Sequence, residues 1–596
     1  MILKRLKALR GEMASKKLQA YIVPTADFHQ SEYVGDYFCT RQYMSGFTGS
    51  AGVLVVTEQK AGLWTDGRYF IQAAKQLEGS SIELFRQGEE GVPSIEEFLK
   101  EELAPKSSVG FDGRVVSATW GNKLEKELSA KEISLQYEVD LVDFCWEDRP
   151  ELSKEPAFLL EEKYAGERSA SKVERIRAEM AKKGATTHIV TSLDDIAWIL
   201  NIRGNDVEYN PVVLSYLVIT MEKVVFFVDE TKLNEEIMQS FGSLTVEVQP
   251  YNDIYEYAKT IGQEEVVWID GSRVNYTIVK NISDNVKIID EMNPSILMKA
   301  IKNKIEVDNL IKAHIKDGVA VTKFMYWLKK NIGKIPMTEI IASDYLEEQR
   351  KQQEGFIELS FDTICAYKDN AAMMHYSATR EAQATLKEEG LLLVDSGGQY
   401  LEGTTDITRT FALGPVCEEQ RRHFTAVVNS MLNLSSARFL HGCTGLNLDI
   451  LARGPIWNMD LDYKCGTGHG VGYLLNVHEA PNGFRWKRVP ERNDGCVLEA
   501  GMVTTNEPGI YVEGSHGIRI ENELVCREGV KNEYGQFMYF DTITVAPIDL
   551  DALDITKMSA VEKARLNAYH KQVYETLVPY MSIDEALWLK EYTREI

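Results

Sequence analysis

The chain has 596 residues, more than one hydrophobic core normally serves, and roughly 100 to 200 residues per domain predicts three or four units. Acidic residues (90) outnumber basic ones (66), and the net charge of −24 argues against nucleic acid or an anionic membrane as a partner. No apolar run approaches the ~18 residues of a membrane span, and the first residues lack the apolar segment of a secretory signal. The eight cysteines are scattered without a CxxC pair, so we expect a reduced, cytoplasmic protein.

The first part of the chain alternates strand-like and helical runs. The runs AYIVPT, AGVLVVT and GLWTD predict strands and IQAAKQLEG predicts a helix, which together indicate an α/β domain. A similar order returns in THIVT, LSYLVIT and VVFFVD, so we expect a second, related α/β domain. The charged, proline-containing segment around Pro156 predicts the boundary between the two domains.

The remainder of the chain predicts the last and largest unit. A long helical pattern, IEVDNLIKAHIKDGVAVTKFMYWLKK, opens it, and a helical tail from about Lys557 to Ile596 closes it. The Leu, Tyr and Trp residues of the tail need a surface to pack on. Either the tail's own domain or a second subunit would supply that surface.

The segment GTGHGVG, residues 466–472, places His469 among alternating glycines. This spacing matches neither of the common glycine-rich phosphate loops, and no lysine follows to reach a phosphate. Alternate glycines leave one face of an extended segment bare, so that another backbone, a metal centre or a ligand can approach closely. We interpret the bare face as room for metals and substrate around His469, with a bulged strand and an incidental histidine as the alternative.

Four carboxylates accompany this histidine at or near the ends of predicted strands: Asp395, Asp406, Glu507 and Glu521. Asp395 ends one apolar strand and Asp406 begins the next, so two carboxylates eleven residues apart can converge on adjacent strands. Glu521 lies on an alternating strand, where it shares one face with Arg519 and Glu523. Four carboxylates and one imidazole form an oxygen-rich set that suits Mn²⁺ or another small divalent ion, and two of them could bridge two ions.

These motifs closely resemble the pita-bread metallopeptidases, a group that includes methionine aminopeptidase, prolidase and aminopeptidase P. The contexts VDSGG, TTDITRT, GTGHGVG, TNEPGIY and GIRIEN carry the resemblance. NAAMMHYSAT, SGFTGSAG and LDDIAWILNIRGNDVEYNP make the chain most similar to the three-domain, cytosolic type of aminopeptidase P. The resemblance covers nearly the whole chain. It implies two creatinase-type α/β domains, residues 1–155 and 156–301, followed by a pita-bread α+β catalytic domain, residues 302–596.

The resemblance also implies a site that holds two divalent metal ions, with Mn²⁺ favoured and Zn²⁺ or Co²⁺ as alternatives. It implies that Asp395 chelates one ion, that Asp406 and Glu521 bridge both, and that His469 and Glu507 complete the other. The implied reaction is hydrolysis of the bond between an N-terminal residue and a proline in second position, through a hydroxide that bridges the metals. Glu507 would carry the proton to the departing nitrogen.

Four residues are implied to contact the substrate. His375 and His478 would orient it and stabilise the oxyanion. Arg68 resembles an arginine of the N-terminal domain that reaches the substrate site in relatives, with a surface ion pair as its other interpretation. Cys465 stands where the family usually has a histidine near the substrate proline, which predicts altered turnover or peptide preference; a catalytic thiol is the alternative. His516 and the remaining histidines are interpreted as structural.

Two alternative functions remain open alongside a peptidase that accepts peptides with proline in second position. Prolidase, which cleaves only dipeptides, belongs to the same group, although prolidase-like chains usually carry one N-terminal domain rather than two. A non-catalytic pita-bread protein that binds peptides is the other, and the five filled ligand positions argue against it. Because the relatives are commonly dimers, we expect a homodimer.

Overall fold

The computed structural model describes residues 1–242, 244–489 and 495–596. The chain groups into two compact units, the first formed by Met1–Leu160 and Glu167–Ser295 and the second by Glu161–Gly166 and Ile296–Ile596. The first unit holds both α/β sheets, and the boundaries at 155 and 301 stay predictions. Among the described helices, none is both long enough and apolar enough to pass through a membrane.

The first sheet of the first unit has six strands in the order β4-β3-β2-β1-β5-β6. Its strands are β1 Ala20–Pro24, β2 Val53–Thr57, β3 Ala61–Thr65, β4 Glu83–Arg86, β5 Ser108–Phe111 and β6 Ser134–Gln136. Its helices are α1 Ile2–Ser15, α2 Thr40–Ser45, α3 Phe70–Gln76, α4 Ile95–Glu102 and α5 Ala118–Leu128. Strand β1 is antiparallel to β2 and parallel to β5, and apolar clusters lie on both faces of the sheet. The predicted α/β domain is therefore confirmed.

The second sheet repeats the first, with the order β12-β11-β10-β8-β13-β14. The strands of this part are β7 Phe158–Leu159, β8 Thr187–Val190, β9 Ile202–Arg203, β10 Ser215–Thr220, β11 Val224–Val228, β12 Val246–Gln249, β13 Val266–Ile269 and β14 Lys287–Asp290. The helices are α6 Glu162–Ala165, which belongs to the second unit, α7 Ser169–Lys183, α8 Leu193–Leu200, α9 Glu235–Ser240, α10 Ile254–Lys259 and α11 Tyr276–Asn281. Strand β8 is antiparallel to β10 and parallel to β13, as β1 is to β2 and β5. Identical order and direction confirm the predicted pair of related domains.

The second unit is a mixed α+β structure, as predicted. Besides α6, its helices are α12 Pro294–Ala300, whose first two residues belong to the first unit, α13 Lys304–Asn331, α14 Glu339–Lys351, α15 Glu418–Ser435, α16 Gly445–Trp457, α17 Ala560–Leu577 and α18 Ile583–Tyr592. Its strands are β15 Phe356–Leu359, β16 Ile364–Tyr367, β17 Leu391–Ser396, β18 Gly398–Tyr400, β19 Gly403–Thr404, β20 Ile407–Ala412, β21 Arg438–Leu440, β22 Gly468–Gly470, β23 Glu479–Phe484, β24 Val503–Asn506, β25 Gly509–Val512, β26 His516–Arg519, β27 Asn522–Asn532 and β28 Gly535–Thr542. Two of its sheets matter for the site: β16-β17-β20 and β21-β28-β27-β24-β22-β23.

The helical tail packs on its own unit. Leu566, Val573 and Leu577 of α17 are buried in one apolar cluster with Phe424 and Val428 of α15. Burying such side chains is worth roughly 1.5–3 kcal/mol each, which is enough to hold an amphipathic helix in place. This packing favours the first of the two surfaces that the sequence left open for the tail.

The strand predicted around Glu521 is interrupted, and that prediction was wrong in this respect. Strand β26 ends at Arg519 and pairs with β25, whereas β27 begins at Asn522 and pairs with β24. The chain crosses from one sheet to another between them because the two segments have different partner strands. Glu521 lies at this crossing, where it faces neighbours from both sheets.

Candidate metal centre

The five predicted ligands come from two sheets of the second unit. Asp395 lies near the end of β17 and Asp406 directly precedes β20, and these two strands are antiparallel neighbours. His469 is the middle residue of β22, and Glu507 directly follows β24 in the six-stranded sheet. Glu521 occupies the crossing between β26 and β27. Strand ends from two sheets thus present their side chains to one place.

The structure brings three of these side chains close enough to hold one metal ion, with Glu507 beside them. Ligand atoms of Asp406, His469 and Glu521 all lie within 4.8 Å of one another. His469 Nε2 is 3.4 Å from Asp406 Oδ2 and 3.4 Å from Glu507 Oε1. The Nδ1 atom of His469 lies 2.9 Å from the carbonyl oxygen of Gly470, so it donates there and leaves Nε2 as the ligand atom.

The electrostatics of the cluster fit a cation. Burial raises the pKa of the Asp406 carboxyl well above its ordinary value, and the charges of Asp395 and Glu507 raise it further. Burial and then the charge of Asp406 raise the pKa of Glu521 in the same way. The Oδ1 atoms of Asp395 and Asp406 are buried, and no described residue forms a hydrogen bond with either. Divalent ions would satisfy these oxygens and offset the repulsion, so the residues present fit a metal centre.

Arg519 and Thr408 each hold one oxygen of a predicted ligand. Arg519 Nη2 donates to Asp395 Oδ2 in an ion pair whose members are largely buried. The hydroxyl of Thr408 donates to Glu521 Oε2 at 2.6 Å, and Arg519 Nε donates to that same hydroxyl at 3.2 Å. Partners of this kind orient metal ligands, and their loss typically costs 10–100-fold in metal affinity or activity.

The side chain of Glu523 holds the backbone of Asp406, a role that the sequence did not reveal. The Asp406 N–H donates to Glu523 Oε1 at 2.8 Å. His314 of α13 lies 3.1 Å from the other Glu523 oxygen, and both side chains are fully buried. No sequence pattern signalled this contact, and His314 is one of the histidines that the sequence interprets as structural.

Arg409 forms hydrogen bonds both with Tyr569 of the helical tail and with Glu521, one of the predicted ligands. Its Nη1 donates to the backbone oxygen of Glu521 at 2.5 Å, and its Nη2 donates to the hydroxyl of Tyr569 at 2.8 Å. Nη2 also donates to Asn522 Oδ1 at 2.8 Å. The guanidinium is fully buried, so these bonds form away from water, where a lost partner costs most. The helical tail therefore contributes to the position of Glu521.

A buried ion pair holds the segment that leads into His469. Arg453 of α16 donates to Asp449 at 2.8 Å, and neither side chain is exposed. Arg453 also donates to the carbonyl oxygens of Tyr463, at 2.8 Å, and Cys465, at 3.1 Å. The Thr467 hydroxyl donates to Asp449 Oδ1 at 2.5 Å. The backbone on the N-terminal side of β22 is thereby fixed at several points.

The glycines around His469 admit neighbouring backbone. A Cβ atom on Gly468 would lie 1.9 Å from the carbonyl oxygen of Thr505, and one on Gly470 would lie 2.2 Å from that of Glu479. Neither distance is sterically allowed, so any side chain would push apart β24 or β23 from β22. The interpretation of this face as room for metals and substrate was wrong, because the adjacent strands occupy it.

Of the two histidines predicted to contact the substrate, the structure places His478 beside a predicted ligand. The rings of His478 and His469 are 4.4 Å apart between centroids at an angle of 72°. His478, directly before β23, therefore lies beside the centre. His375 is exposed in the segment that follows Ala371, whose carbonyl oxygen packs against Gly517 of β26. Its predicted contact with substrate stays a prediction.

Cys465 lies between the apolar core and the ligands. It is half-buried, and it packs against the cluster that contains Tyr463. The protein around the thiol raises its pKa to about 12, with burial as the main cause and the charge of Glu507 second. A thiol in this state is protonated at neutral pH, and a thiol is a poor nucleophile compared with a thiolate. The alternative of a catalytic thiol is not supported.

We expect Cys465→Ser to keep turnover within about threefold, since the two side chains have similar size and neither is charged at neutral pH. The exposed Cys417 serves as the internal comparison for reactivity. Iodoacetamide at pH 7 should label Cys417 at least ~10-fold faster than Cys465, as peptide mapping would measure. A loss of turnover of 100-fold or more in the serine variant would instead support a nucleophilic thiol.

Arg68 forms a local ion pair in the first unit. Its Nε and Nη2 each donate to an oxygen of Asp66 at 2.8 Å. Its guanidinium also lies 5.2 Å from the centre of the Tyr69 ring. This bidentate geometry agrees with the ion-pair interpretation of Arg68, and its reach towards substrate stays a prediction.

Models of known families match four segments of the chain. Residues 5–144 and 148–306 match creatinase/prolidase N-terminal domains. Residues 308–528 match metallopeptidase family M24, and residues 536–596 match the C-terminal region of peptidase M24. The M24 segment contains all five predicted ligands.

Individual relatives match along nearly the full length. Xaa-Pro aminopeptidase 1 of Dictyostelium discoideum is 38% identical over 594 residues, which cover 97% of this chain and 93% of the relative. The X-prolyl aminopeptidase of Caenorhabditis elegans, described as a cytosolic enzyme with a di-nuclear active site, superimposes with a TM-score of 0.93 at 34% identity over 100% of both chains. An Xaa-Pro dipeptidase of Bacillus anthracis shares the fold over 64% of this chain and 99% of its own, with a TM-score of 0.52 and 23% identity. The chain therefore belongs to metallopeptidase family M24, among the Xaa-Pro aminopeptidases.

Proposed function

We propose that this protein removes the N-terminal residue from peptides whose second residue is proline, with two divalent metal ions in the cluster of five ligands. The observation that carries the proposal is the convergence of Asp406, His469 and Glu521 on one place, with Asp395 and Glu507 beside them. Relatives named as Xaa-Pro aminopeptidases that match nearly the whole chain support the choice of substrate.

In the proposed site, Asp395, Asp406, His469, Glu507 and Glu521 would hold the two ions. Bound divalent ions supply Lewis-acid polarisation of the scissile carbonyl and an activated water. The oxygen-rich donor set favours Mn²⁺ over a thiolate-preferring ion, although Zn²⁺ and Co²⁺ also accept such ligands. Arg519 keeps Asp395 oriented, and Thr408 does the same for Glu521.

Glu507 is the proposed proton carrier. Its side chain is partly exposed, and the Thr505 hydroxyl donates to Oε1 at 3.0 Å, which fixes the carboxylate while leaving an oxygen accessible. The scissile amide before proline is tertiary, so its nitrogen carries no hydrogen and must receive a proton as it leaves. We assign the stabilisation of the oxyanion to His478, which lies beside His469, and to His375.

Product analysis on Xaa-Pro and Xaa-Pro-Xaa peptides tests the choice of substrate. The expected result is release of the first residue from the longer peptide, with no cleavage of peptides that carry alanine in second position. A prolidase would cleave the dipeptide alone, and this outcome would overturn the proposal. The extra N-terminal sheet favours the aminopeptidase, since the fold shared with the solved dipeptidase covers only part of this chain.

Metal analysis tests the centre separately from the substrate. EDTA is expected to abolish turnover, and added Mn²⁺ is expected to restore it, while the metal content measured by mass spectrometry approaches two ions per chain. A protein that binds no metal after addition of Mn²⁺ would instead be a non-catalytic peptide-binding member of the same fold. Turnover that survives complete removal of metal would show that the mechanism is wrong.

We further propose a homodimer that forms through the exposed face of α16. Leu446, Ile450, Leu451 and Trp457 are each more than a third exposed, and the Trp486 ring lies 5.8 Å from that of Trp457. Large apolar side chains gathered in one patch are typical of a protein interface. A second copy of the chain is the proposed occupant, in line with the dimers that the resemblance implies.

Replacing Ile450 with Asp should weaken this dimer by about 30-fold or more, since a charge at the centre of an apolar interface costs about 2 kcal/mol. Analytical ultracentrifugation over a dilution series would measure the dissociation constant. The exposed Ile583 of α18 provides the matched control, because Ile583→Asp changes a residue outside the patch. Equal dissociation constants for the two variants would place the interface elsewhere.

We also propose a cytoplasmic location. Within the described residues the cysteines form no disulfide bond, which suits a reducing compartment, and the C. elegans relative is described as cytosolic. Cell fractionation with antibody detection would test this location.

A further inference from the structure

One buried carboxylate accepts hydrogen bonds from four residues of the segment that carries His375. Glu339 begins α14, and its side chain is 0% exposed. Its Oε1 accepts hydrogen bonds from the Tyr367 N–H at 2.8 Å and Asn370 Nδ2 at 2.9 Å. Its Oε2 accepts from the Tyr376 hydroxyl at 2.8 Å and the Ala384 N–H at 2.7 Å. These donors lie at the beginning, middle and end of residues 367–384.

The energetic reason for this arrangement is the burial of the charge. A carboxylate out of water is costly unless its lone pairs are satisfied, and hydrogen bonds to a charged group contribute roughly 1.5–3 kcal/mol each. Four donors from residues 367–384 satisfy Glu339, so the segment cannot move away without leaving the carboxylate unpaired. The backbone of Glu339 adds a further link, since its N–H donates to the carbonyl oxygen of Ala384 at 3.2 Å.

The same segment also packs against β26, the strand that ends at Arg519 beside the candidate metal centre. A Cβ atom on Gly517 of β26 would lie 1.7 Å from the carbonyl oxygen of Ala371, so the two backbones are in direct contact. Strand β26 ends at Arg519, which pairs with Asp395. Residues 368–372 therefore lie between the Glu339 carboxylate and the strand that supports a metal ligand.

We propose that Glu339 and Tyr376 are positioning residues for His375: the carboxylate holds the Tyr376 hydroxyl, and this bond fixes the backbone next to His375 for oxyanion stabilisation. The proposal rests on the proposed peptidase function. Tyr376 is the residue that transmits the restraint, because it directly follows His375 in the chain and its hydroxyl also accepts from Asn370 Nδ2 at 3.1 Å. Neither positioning residue has to touch the substrate.

A small displacement of an oxyanion donor is enough to matter. Misplacement by about 1 Å can cost up to 10²-fold in rate, and removal of such a donor costs about 10²–10³-fold. The expected effect falls on kcat rather than KM, because the contact strengthens only as the oxyanion forms.

Tyr376→Phe provides the direct test, since it removes one hydroxyl and keeps the ring. We expect kcat on a proline-second peptide to fall about 10-fold, with KM within about twofold and metal content unchanged. Hydrogen exchange should become faster in residues 368–384, which is a readout that does not depend on turnover. Tyr345→Phe is the matched control, because Tyr345 lies on the same helix as Glu339 and its ring stacks on that of Trp327 at 3.9 Å.

The double variant with His375→Ala shows whether the restraint acts through His375. If it does, Tyr376→Phe adds little further loss of kcat in the alanine background. A wild-type kcat in Tyr376→Phe, or losses that multiply in the double variant, would overturn the assignment. Glu339→Gln should lower kcat further than Tyr376→Phe, because its amide presents a donor where a backbone N–H needs an acceptor.

The two proposals fail in different ways. A wild-type protein that does not cleave proline-second peptides would overturn the proposed function, and the assignment of Glu339 and Tyr376 with it. Cleavage by the wild type together with full kcat in Tyr376→Phe would overturn the positioning role alone.

Discussion

Asp406→Asn is expected to abolish turnover while leaving the metal-free fold intact. Asp406 offers ligand oxygens beside His469 and Glu521, so the amide removes both a charge and a donor atom from the proposed centre. Loss of several kcal/mol of transition-state stabilisation corresponds to at least ~10³-fold in kcat/KM. Steady-state kinetics on a proline-second peptide and metal analysis by mass spectrometry would measure both effects.

Although Asp406→Asn should abolish turnover, it should raise the stability of the metal-free protein at neutral pH. Burial and neighbouring carboxylates raise the pKa of Asp406 in the folded state, so folding without metal favours its protonated form. The contribution of such a group is present below its unfolded pKa and is lost as pH rises through the raised folded pKa. After EDTA treatment, the wild type should therefore lose more Tm between pH 5 and pH 8 than Asp406→Asn.

Asp308→Asn is the matched control for this experiment. Asp308 lies on an exposed part of α13 and pairs with Lys304 in its helix, an interaction worth little in solvent. This variant should keep the wild-type kcat/KM and metal content. Wild-type turnover and metal content in Asp406→Asn would contradict the assignment of Asp406 as a ligand.

Arg453→Met is expected to destabilise the second unit by about 3–5 kcal/mol, the usual cost of breaking a fully buried ion pair from one side. The substitution leaves the Asp449 carboxylate buried without its charged partner. It also removes the donors to the carbonyl oxygens of Tyr463 and Cys465. Chemical denaturation followed by circular dichroism would measure the shift of the transition.

A second variant separates lost charge pairing from lost packing. Asp449→Leu combined with Arg453→Met replaces the pair with apolar side chains, and it should recover much of the lost stability. Arg527→Met is the control, since its partner Asp541 is half-exposed and the pair is worth at most ~1 kcal/mol. An Arg453→Met transition that coincides with that of Arg527→Met would show that the buried pair does not support the fold.

The kcat/KM values of Arg453→Met, the double variant and Arg527→Met should rank in the same order as their stabilities. The segment held by Arg453 leads into β22, which carries His469, and the Thr467 carbonyl accepts the Glu507 N–H at 2.8 Å. Loss of the pair therefore disturbs two proposed ligands at once. The double variant should regain stability more completely than kcat/KM, because apolar side chains cannot bond the Cys465 carbonyl.

The candidate ligands could be predicted from sequence because each stands in a short segment with a strong local signal. Asp395 ends an apolar run, Asp406 begins the next strand, and His469 lies among glycines. The relation between the two N-terminal domains could be predicted because similar apolar runs follow one another along the chain, whereas the order of strands within each sheet came only from the structure. The reason for the glycines was not visible, because their neighbours Thr505 and Glu479 are distant in sequence or across a turn.

The sequence by itself determined the residue types of the site, the two related α/β domains and the order of the ligand-bearing strands. Only the tertiary structure decided what holds the candidate site residues: Glu523 accepts the Asp406 N–H, Arg453 donates to the Cys465 carbonyl before β22, and Glu339 accepts from Tyr376 next to His375. The physical reason is that buried polar groups must find hydrogen-bond partners wherever the fold brings them, and those partners carry no fixed spacing along the chain.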